Sequence, residues 1–357
     1  MLRRATISFF YNIIRVMQNN MNLQNPQKFS WETITNFRTV LRIVFTWLVA
    51  IIILAVIFSR IHPADVMAVL KQTDIGYLSL GILFSLLAHV FFTVARYQNM
   101  IRLVGCSLSW GEALLLRMGC NAVKGVLPFK TGEVAIVAYM KKVQNLSYPR
   151  GVFSVLFGTV FSLMVLILFC SAGGIFHFSD RPLSMIFVAV FLTIFLLLIL
   201  SSFRRVPSSM VRYLKKYFRL PEDLAFLMEK YDPAIIKNII FHSLGIEGSK
   251  LIIIFVVLKS LQIEMSAAAL LLWGSATILA AYLPLTYWGL GVRESAVLFL
   301  FADYAAPGQL LAGGLLITFV DSVLPVLLGL FFVKPFLDRL LGSKKADADM
   351  TAGNPES

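Results

Sequence analysis

Tyr282-Leu283-Pro284-Leu285-Thr286-Tyr287-Trp288-Gly289-Leu290-Gly291-Val292-Arg293-Glu294, followed by Ser295-Ala296-Val297-Leu298-Phe299-Leu300, lies inside an apolar segment at 267–305. Pro284 removes a backbone donor, and Gly289 and Gly291 permit a sharp turn. A helix reaching this point must therefore break, and a second one starts just after the glycines. Arg293 and Glu294 fall in its first turn. The same grammar occurs earlier, in an apolar segment at 113–140. There Val126-Leu127-Pro128-Phe129-Lys130-Thr131-Gly132-Glu133 precedes the apolar run 134–140 and then Lys141-Lys142. Pro128 and Gly132 mark that break, and Glu133 opens the second arm.

The surroundings of both breaks belong to a membrane. Across 357 residues, 58% are hydrophobic and 14% charged, with a mean hydropathy of +0.80; soluble domains carry about 45–50% apolar and about 25% charged residues. Irregular backbone at membrane depth survives only where protein or a wet cavity surrounds it. The net charge of +13 fits basic cytoplasmic loops. No helix-turn-helix, zinc-finger or RNA-binding signature accompanies it, so nucleic acid is not an expected partner. Cys106, Cys120 and Cys170 imply no disulfide framework, and His62, His89, His177 and His242 have no ligand-spaced partners, so neither a metal nor a cofactor is expected.

Uninterrupted apolar runs at 40–59, 75–95, 152–176, 183–203, 236–258 and 309–333 read as six crossings, each near the ~20 residues that span the hydrocarbon. Basic residues cluster at the N-terminus (Arg3, Arg4, Arg15, Lys28, Arg38), at 204–230 (Arg204, Arg205, Arg212, Lys215, Lys216, Arg219, Lys230) and after 333 (Lys334, Arg339, Lys344, Lys345). This puts both termini in the cytoplasm. The signs agree only if each broken segment enters and leaves on one side: 113–140 as a re-entrant hairpin from the cytoplasm, 267–305 as one from outside.

The order crossing, crossing, hairpin, crossing then occurs twice. Pro128 and Pro284 are 156 positions apart, crossings three and six begin 157 apart, and crossings two and five begin 161 apart. Each half has an odd number of crossings, so the second is inverted, and inverted repeats with interrupted helices are a transporter architecture. The expected fold is an all-α polytopic membrane protein of about six transmembrane helices plus two re-entrant helical hairpins in an inverted repeat. Its parts are a cytoplasmic N-terminal amphipathic segment (1–39), a first membrane repeat (40–176), a second (177–335, with a cytoplasmic basic loop at 204–234) and a disordered cytoplasmic tail (336–357). Ile7, Phe10, Ile14 and Met17 fit a surface helix as well as a frayed terminus. Residues 204–219 fit a helix on an anionic leaflet as well as a topogenic signal.

Glu133 and Glu294 have two competing meanings. A glutamate in a first turn is ordinary capping. Alternatively, the free amides with Lys130 or Arg293 form a pocket for an anion such as phosphate. Glu247 and Lys250, three apart in crossing five, can pair with each other. Asp321, mid-crossing and followed by Pro325, has no local cation and must pair across helices or face a cavity; Arg293 is the expected partner.

The Leu127-Pro-x-x-x-Gly-Glu133 hairpin and, more specifically, Gly289-Leu-Gly-Val-Arg-Glu294 resemble the two signature segments of the lysylphosphatidylglycerol synthase transmembrane region, also called the flippase-like or UPF0104 family. The resemblance covers about residues 40–340. It implies a polytopic protein of the prokaryotic cell (plasma or inner) membrane that moves or handles lipids with polar headgroups, here without the fused aminoacyl- or glycosyltransferase that some members carry. Many relatives have an arginine soon after the first Gly-Glu where this chain has Ile136, which directs headgroup recognition toward Lys130, Lys124 or Arg117. Tyr287 and Trp288 replace commonly small residues and narrow any pocket. The leading expectation is a carrier that moves an anionic lipid, or a lipid-linked saccharide, between leaflets. Its substrate-binding set is Arg293, Glu294, Lys130, Glu133, Asp321, Arg117, Lys124, Glu247 and Lys250. The alternatives are an enzyme of headgroup modification, against which no nucleophile–base pair, acidic loop cluster or nucleotide loop is seen, and a membrane subunit acting with a separate lipid-modifying enzyme.

Overall fold

A computed structural model describes residues 37–126, 131–203, 232–283, 286 and 289–341. The N-terminal segment 1–36, most of the basic loop (204–231), the tail from 342, and the positions Pro128, Lys130, Pro284, Tyr287 and Trp288 lie outside the described residues. Among the described residues every element is a helix. In chain order these are α1 Phe37–Phe58, α2 Pro63–Lys71, α3 Ile75–Leu103, α4 Trp110–Val126, α5 Thr131–Val143, α6 Tyr148–His177, α7 Leu183–Phe203, α8 Pro233–Ser260, α9 Ala267–Ala281 and α10 Val292–Leu300. The last, α11, runs Pro307–Thr318, a π turn at Phe319–Val323 and Leu324–Leu341.

Local chemistry sets the helix starts. Asp74 Oδ1 accepts from Gly76 N at 2.7 Å ahead of α3, and Asp232 does the same for Ala234 N at 2.9 Å ahead of α8. Ser109 and Glu112 exchange side-chain and backbone bonds at the start of α4, a capping box. Pro63, Pro233 and Pro307 occupy first-turn positions, where their missing donor costs nothing.

Five of these helices are long and apolar enough to cross a membrane, and α1 with α2, bent by 85°, passes the same test as a pair. Crossings one, three, four and five fall where the apolar runs lie. Two differ. Crossing two was expected to end at residue 95, but α3 continues to Leu103, because Val94, Tyr97, Ile101 and Val104 are buried in the core around α4 and α5. Crossing six and the supposed tail are likewise one helix to Leu341. Pro335 does not stop it, because Phe336 is fully buried and stacks on Tyr139 with ring centroids 5.5 Å apart. Burial separates centre from periphery: half of the membrane-spanning window of α8 is buried, against 6% of that of α7. Phe195, Leu196 and Leu197 of α7 are accordingly exposed and face lipid.

Both interrupted segments are paired short helices. α4 packs on α5, and α9 on α10. At 1.5 Å per residue the arms measure about 25, 20, 22 and 13 Å, all short of the ~30 Å hydrocarbon layer. Each hairpin packs on the far half of the chain: α4 against the C-terminal part of α11, and α9 against α6. Glycine makes both contacts close. A Cβ on Gly329 would sit 2.5 Å from Met118 O and 2.8 Å from Ala122 N, and one on Gly173 would sit 2.3 Å from Leu272 N. Small residues at such crossings let helix backbones touch in a bilayer. Gly173 and Gly329 are 156 positions apart, the separation of Pro128 and Pro284.

Candidate functional site

Gly291, at φ +82°, ends the break in the second hairpin in a conformation that L side chains avoid, and α10 starts at the next residue. That turn points Arg293 and Glu294 inward, 8% and 0% exposed. Glu294 Oε2 accepts from Gly291 N at 2.6 Å, and Oε1 accepts from Thr318 Oγ1 at 2.6 Å. Both carboxylate oxygens are thus engaged in holding the helix start to α11.

Arg293 reaches the same helix. Nη2 donates to Asp321 Oδ2 at 3.2 Å, and Nη1 donates to Thr318 Oγ1 at 3.3 Å and Ser322 Oγ at 3.1 Å. The cation expected for Asp321 is present. The backbone beneath Asp321 is itself irregular. A proline ring collides with the carbonyl four residues before it, which for Pro325 is that of Asp321. Here the ladder widens into the π turn 319–323, with Leu324 N donating to Phe319 O. Single π turns often accompany functional sites.

A second buried pair lies alongside. Lys250 Nζ donates to Glu247 Oε2 at 3.0 Å, and the Tyr282 hydroxyl bridges the two, 3.3 Å from Glu247 Oε1 and 3.4 Å from Lys250 Nζ. Glu247 is fully buried. Lys250, Arg293 and Asp321 line one cavity together with Thr277, Ile254, Ile278 and Ile317, with about 10 Å³ of open space, room for a single water. Asp321 Oδ1 and Thr277 Oγ1 are buried without a hydrogen-bond partner. The site is therefore two neutral ion pairs from α8, α10 and α11 with unsatisfied oxygens at its edge.

The first hairpin does not join this cluster directly. Arg117 of α4 lies over the Tyr97 ring, 5.7 Å from its centroid, and is near enough to Asp321 to act on it electrostatically. Lys124 acts in the same way on His89 and Cys120. Glu133 is partly buried in the first turn of α5 and acts on Tyr97. Gly132 lies in the first turn of α5 and Gly289, at φ +74°, packs on Ala281. Among the described residues no group of three or more His, Cys, Asp or Glu could hold a metal ion.

Sequence reasoning missed His89, inside the apolar run 75–95, and Arg96, one residue past its assigned end, as members of the site region. It also missed Thr318, Ser322, Thr277 and Tyr282 as polar partners. Hydroxyls on membrane helices ordinarily bond their own preceding turn, as Thr159 does to Val155 O at 3.1 Å, so nothing in the spacing sets these apart.

Fold and site define a multi-pass α-helical membrane protein with two interrupted hairpins and a buried, charge-paired centre. The family described as Lysylphosphatidylglycerol synthase TM region matches residues 40–329, and the chain belongs to that family. Membership carries a membrane, lipid-related role. No protein of curated function matches the chain with significant similarity.

Proposed function

We propose that this protein carries a lipid with an anionic headgroup from one leaflet to the other, without chemically altering it. The carrying observation is the cavity where Arg293 and Lys250, each paired to a carboxylate, face the partnerless oxygens of Asp321 and Thr277. The two carboxylates neutralise both cations. A headgroup phosphate would displace them, because an arginine fork binds phosphate as well as it binds carboxylate. Acyl chains stay in the bilayer throughout.

A cavity the size of one water is a closed state, so transfer needs α11 to move against α8 and the second hairpin. The π turn at Asp321 and the break ending at Gly291 are the deformable points for that motion. Reciprocal hairpin packing and the glycines 156 positions apart support an inverted repeat with two re-entrant hairpins, one facing each way, and the basic residues support cytoplasmic termini. Alternating exposure of one site then follows from exchanging the roles of the two halves.

The test is transfer of fluorescent phosphatidylglycerol in liposomes containing the purified chain, read by chemical quenching of the outer leaflet. The wild type is expected to accelerate transfer over protein-free vesicles and over a neutral glycolipid, and Arg293→Ala to abolish the acceleration. Equal rates with and without protein would refute the carrier reading. Stable co-purification of a lipid-modifying enzyme would then favour the subunit alternative, and headgroup turnover by the protein alone would favour the enzyme.

A further inference from the structure

His89 has no part in holding the headgroup, and it lies inside a π turn of its own, Leu87–Phe92 of α3. Both of its ring nitrogens are buried, and neither has a hydrogen-bond partner among the described residues. A neutral imidazole carries one donor and one acceptor, so leaving both unmet in the interior is costly. At this level α3 packs on the π turn of α11. Ser85 Oγ donates to Val320 O at 2.7 Å, and His89, four residues on, continues the same face of α3 by one turn. Asp321 follows Val320, and His89 and Asp321 are close enough to act on each other electrostatically. Asp321 Oδ1 is itself buried without a partner. An unmet imidazole and an unmet carboxylate oxygen thus share one neighbourhood, each on a π turn.

The charges acting on His89 come from three other elements: Arg117 and Lys124 of α4, Lys250 of α8 and Asp321 of α11. His242 of α8 packs on Phe91 and Phe92 of the same π turn, and Arg96 follows on α3 itself. The cations repel a proton at His89, while Asp321, neutralised by Arg293, attracts one only weakly. A headgroup phosphate reverses that balance. It adds a negative charge to two neutral pairs, and by taking the Arg293 fork it releases Asp321. Buried charge without compensation is expensive, and histidine is the side chain that gains a positive charge near neutral pH. Lys250 and His89 are 161 positions apart, the offset between crossings two and five. In the proposed repeat His89 therefore occupies the place that a permanent cation holds in the other half.

We propose that His89 is a proton-binding site and that the protein moves one proton together with each anionic headgroup. Resting on the carrier reading and deepening it, His89 supplies the coupling ion. The proton comes from water on the loading side, binds the lone pair of the ring nitrogen that carries no hydrogen, and returns to water on the other side when the headgroup leaves. The imidazolium donates from both nitrogens, one of them toward the Asp321 carboxylate that the phosphate has displaced. The loaded centre then carries the same net charge as the unloaded one, so the crossing does no work against the membrane potential. A proton gradient can drive the lipid uphill by the same coupling.

The experiment adds dihexanoyl phosphatidylglycerol to the full chain in weakly buffered detergent with a pH indicator, and reads affinity by calorimetry from about pH 6 to about pH 8. The phosphodiester stays ionised throughout, so any proton taken up belongs to the protein. The wild type is expected to take up about one proton per lipid bound, and because the bound form holds more protons, its apparent affinity should weaken with rising pH by up to about tenfold per unit. His89→Gln should bind with no uptake and no slope, and His242→Gln should retain both. Binding by the wild type without uptake, uptake unchanged in His89→Gln, or its loss in His242→Gln instead, overturns the proposal. Should the glutamine variant not fold, His89→Lys carries the test, because a fixed cation there, like that of Lys250, should bind the lipid with no uptake; undiminished uptake overturns the proposal equally. Transfer in liposomes separates this site from the carrier reading. A wild type that takes up the proton but moves no lipid removes the carrier and leaves the proton site standing, whereas transfer without uptake keeps the carrier and removes the coupling.

Discussion

Replacing Asp321 with alanine strips Arg293 of the one carboxylate it pairs with among the described residues while the guanidinium stays buried, 10% exposed at its side chain. Breaking a buried pair from one side costs about 3–5 kcal/mol, most of it the uncompensated charge left behind. Thr318 and Ser322 still accept from Nη1, and the vacated space admits a water, so the lower end, about 3 kcal/mol, is expected. Converting both partners, as Arg293→Met with Asp321→Leu, removes the orphan and is expected to return stability to within about 1 kcal/mol of wild type. Unfolding by sodium dodecyl sulfate titration in mixed micelles measures all four corners of the cycle. The double variant, although stable, should transfer no lipid, which separates the pair's structural share from its functional one. A cost under about 1 kcal/mol for Asp321→Ala, or a double variant as unstable as the single, would refute the reasoning.

Alanine at Gly173 or Gly329 pushes a methyl group into backbone atoms of the opposite hairpin, so each substitution should cost about 1–3 kcal/mol in the same titration. At Gly291, where φ is +82° and a Cβ would meet Ile53 Cγ2 at 2.8 Å, alanine should cost about 1–2 kcal/mol of backbone strain alone and slow lipid transfer by displacing Arg293. Pro325→Ala lets the helix recover its i→i−4 ladder, so amide exchange around 321–325 should slow while transfer falls. The exposed Lys259–Glu264 pair is the control: the ammonium hydrogen-bonded to Glu264 at 2.7 Å holds that carboxyl below its usual range, yet Glu264→Gln should move the unfolding midpoint by no more than about one degree.

Crossings were legible because a bilayer imposes a length and a polarity that a linear sequence displays openly. The breaks were legible for a related reason: proline and glycine act on the backbone wherever they stand, and Gly291 does at its position what its residue type permits. The pairing of Arg293 with Asp321 was also readable, since neither had a local partner and both sat too deep to remain alone. Legibility ended where a charge follows an apolar run. Arg96 stands one residue past the chosen end of crossing two and reads as an interfacial flank, and only the burial of Tyr97, Ile101 and Leu103 behind it shows that the helix continues. The end of α11 hid for the same reason, because Pro335 signals a stop and the stacking of Phe336 on Tyr139 is a contact between residues almost 200 positions apart. The meaning of Glu294 was open between capping and binding, and the structure shows one carboxylate oxygen capping its own helix at Gly291 N and the other accepting from Thr318 of α11.

The reciprocal packing of the hairpins also sets a schedule for biosynthesis. α4 is made early, but the helix segment whose glycine lies against it, Leu324–Leu341, is made some 200 residues later. At about 5–20 residues per second, some 200 residues of further synthesis take roughly 10–40 s. For that interval Met118 and Ala122 lack the surface they are shaped to meet, and α3 and α4 sit in the membrane half assembled. The first hairpin therefore waits for α11 before its packing is complete, and a chain truncated before Gly329 leaves it permanently uncovered.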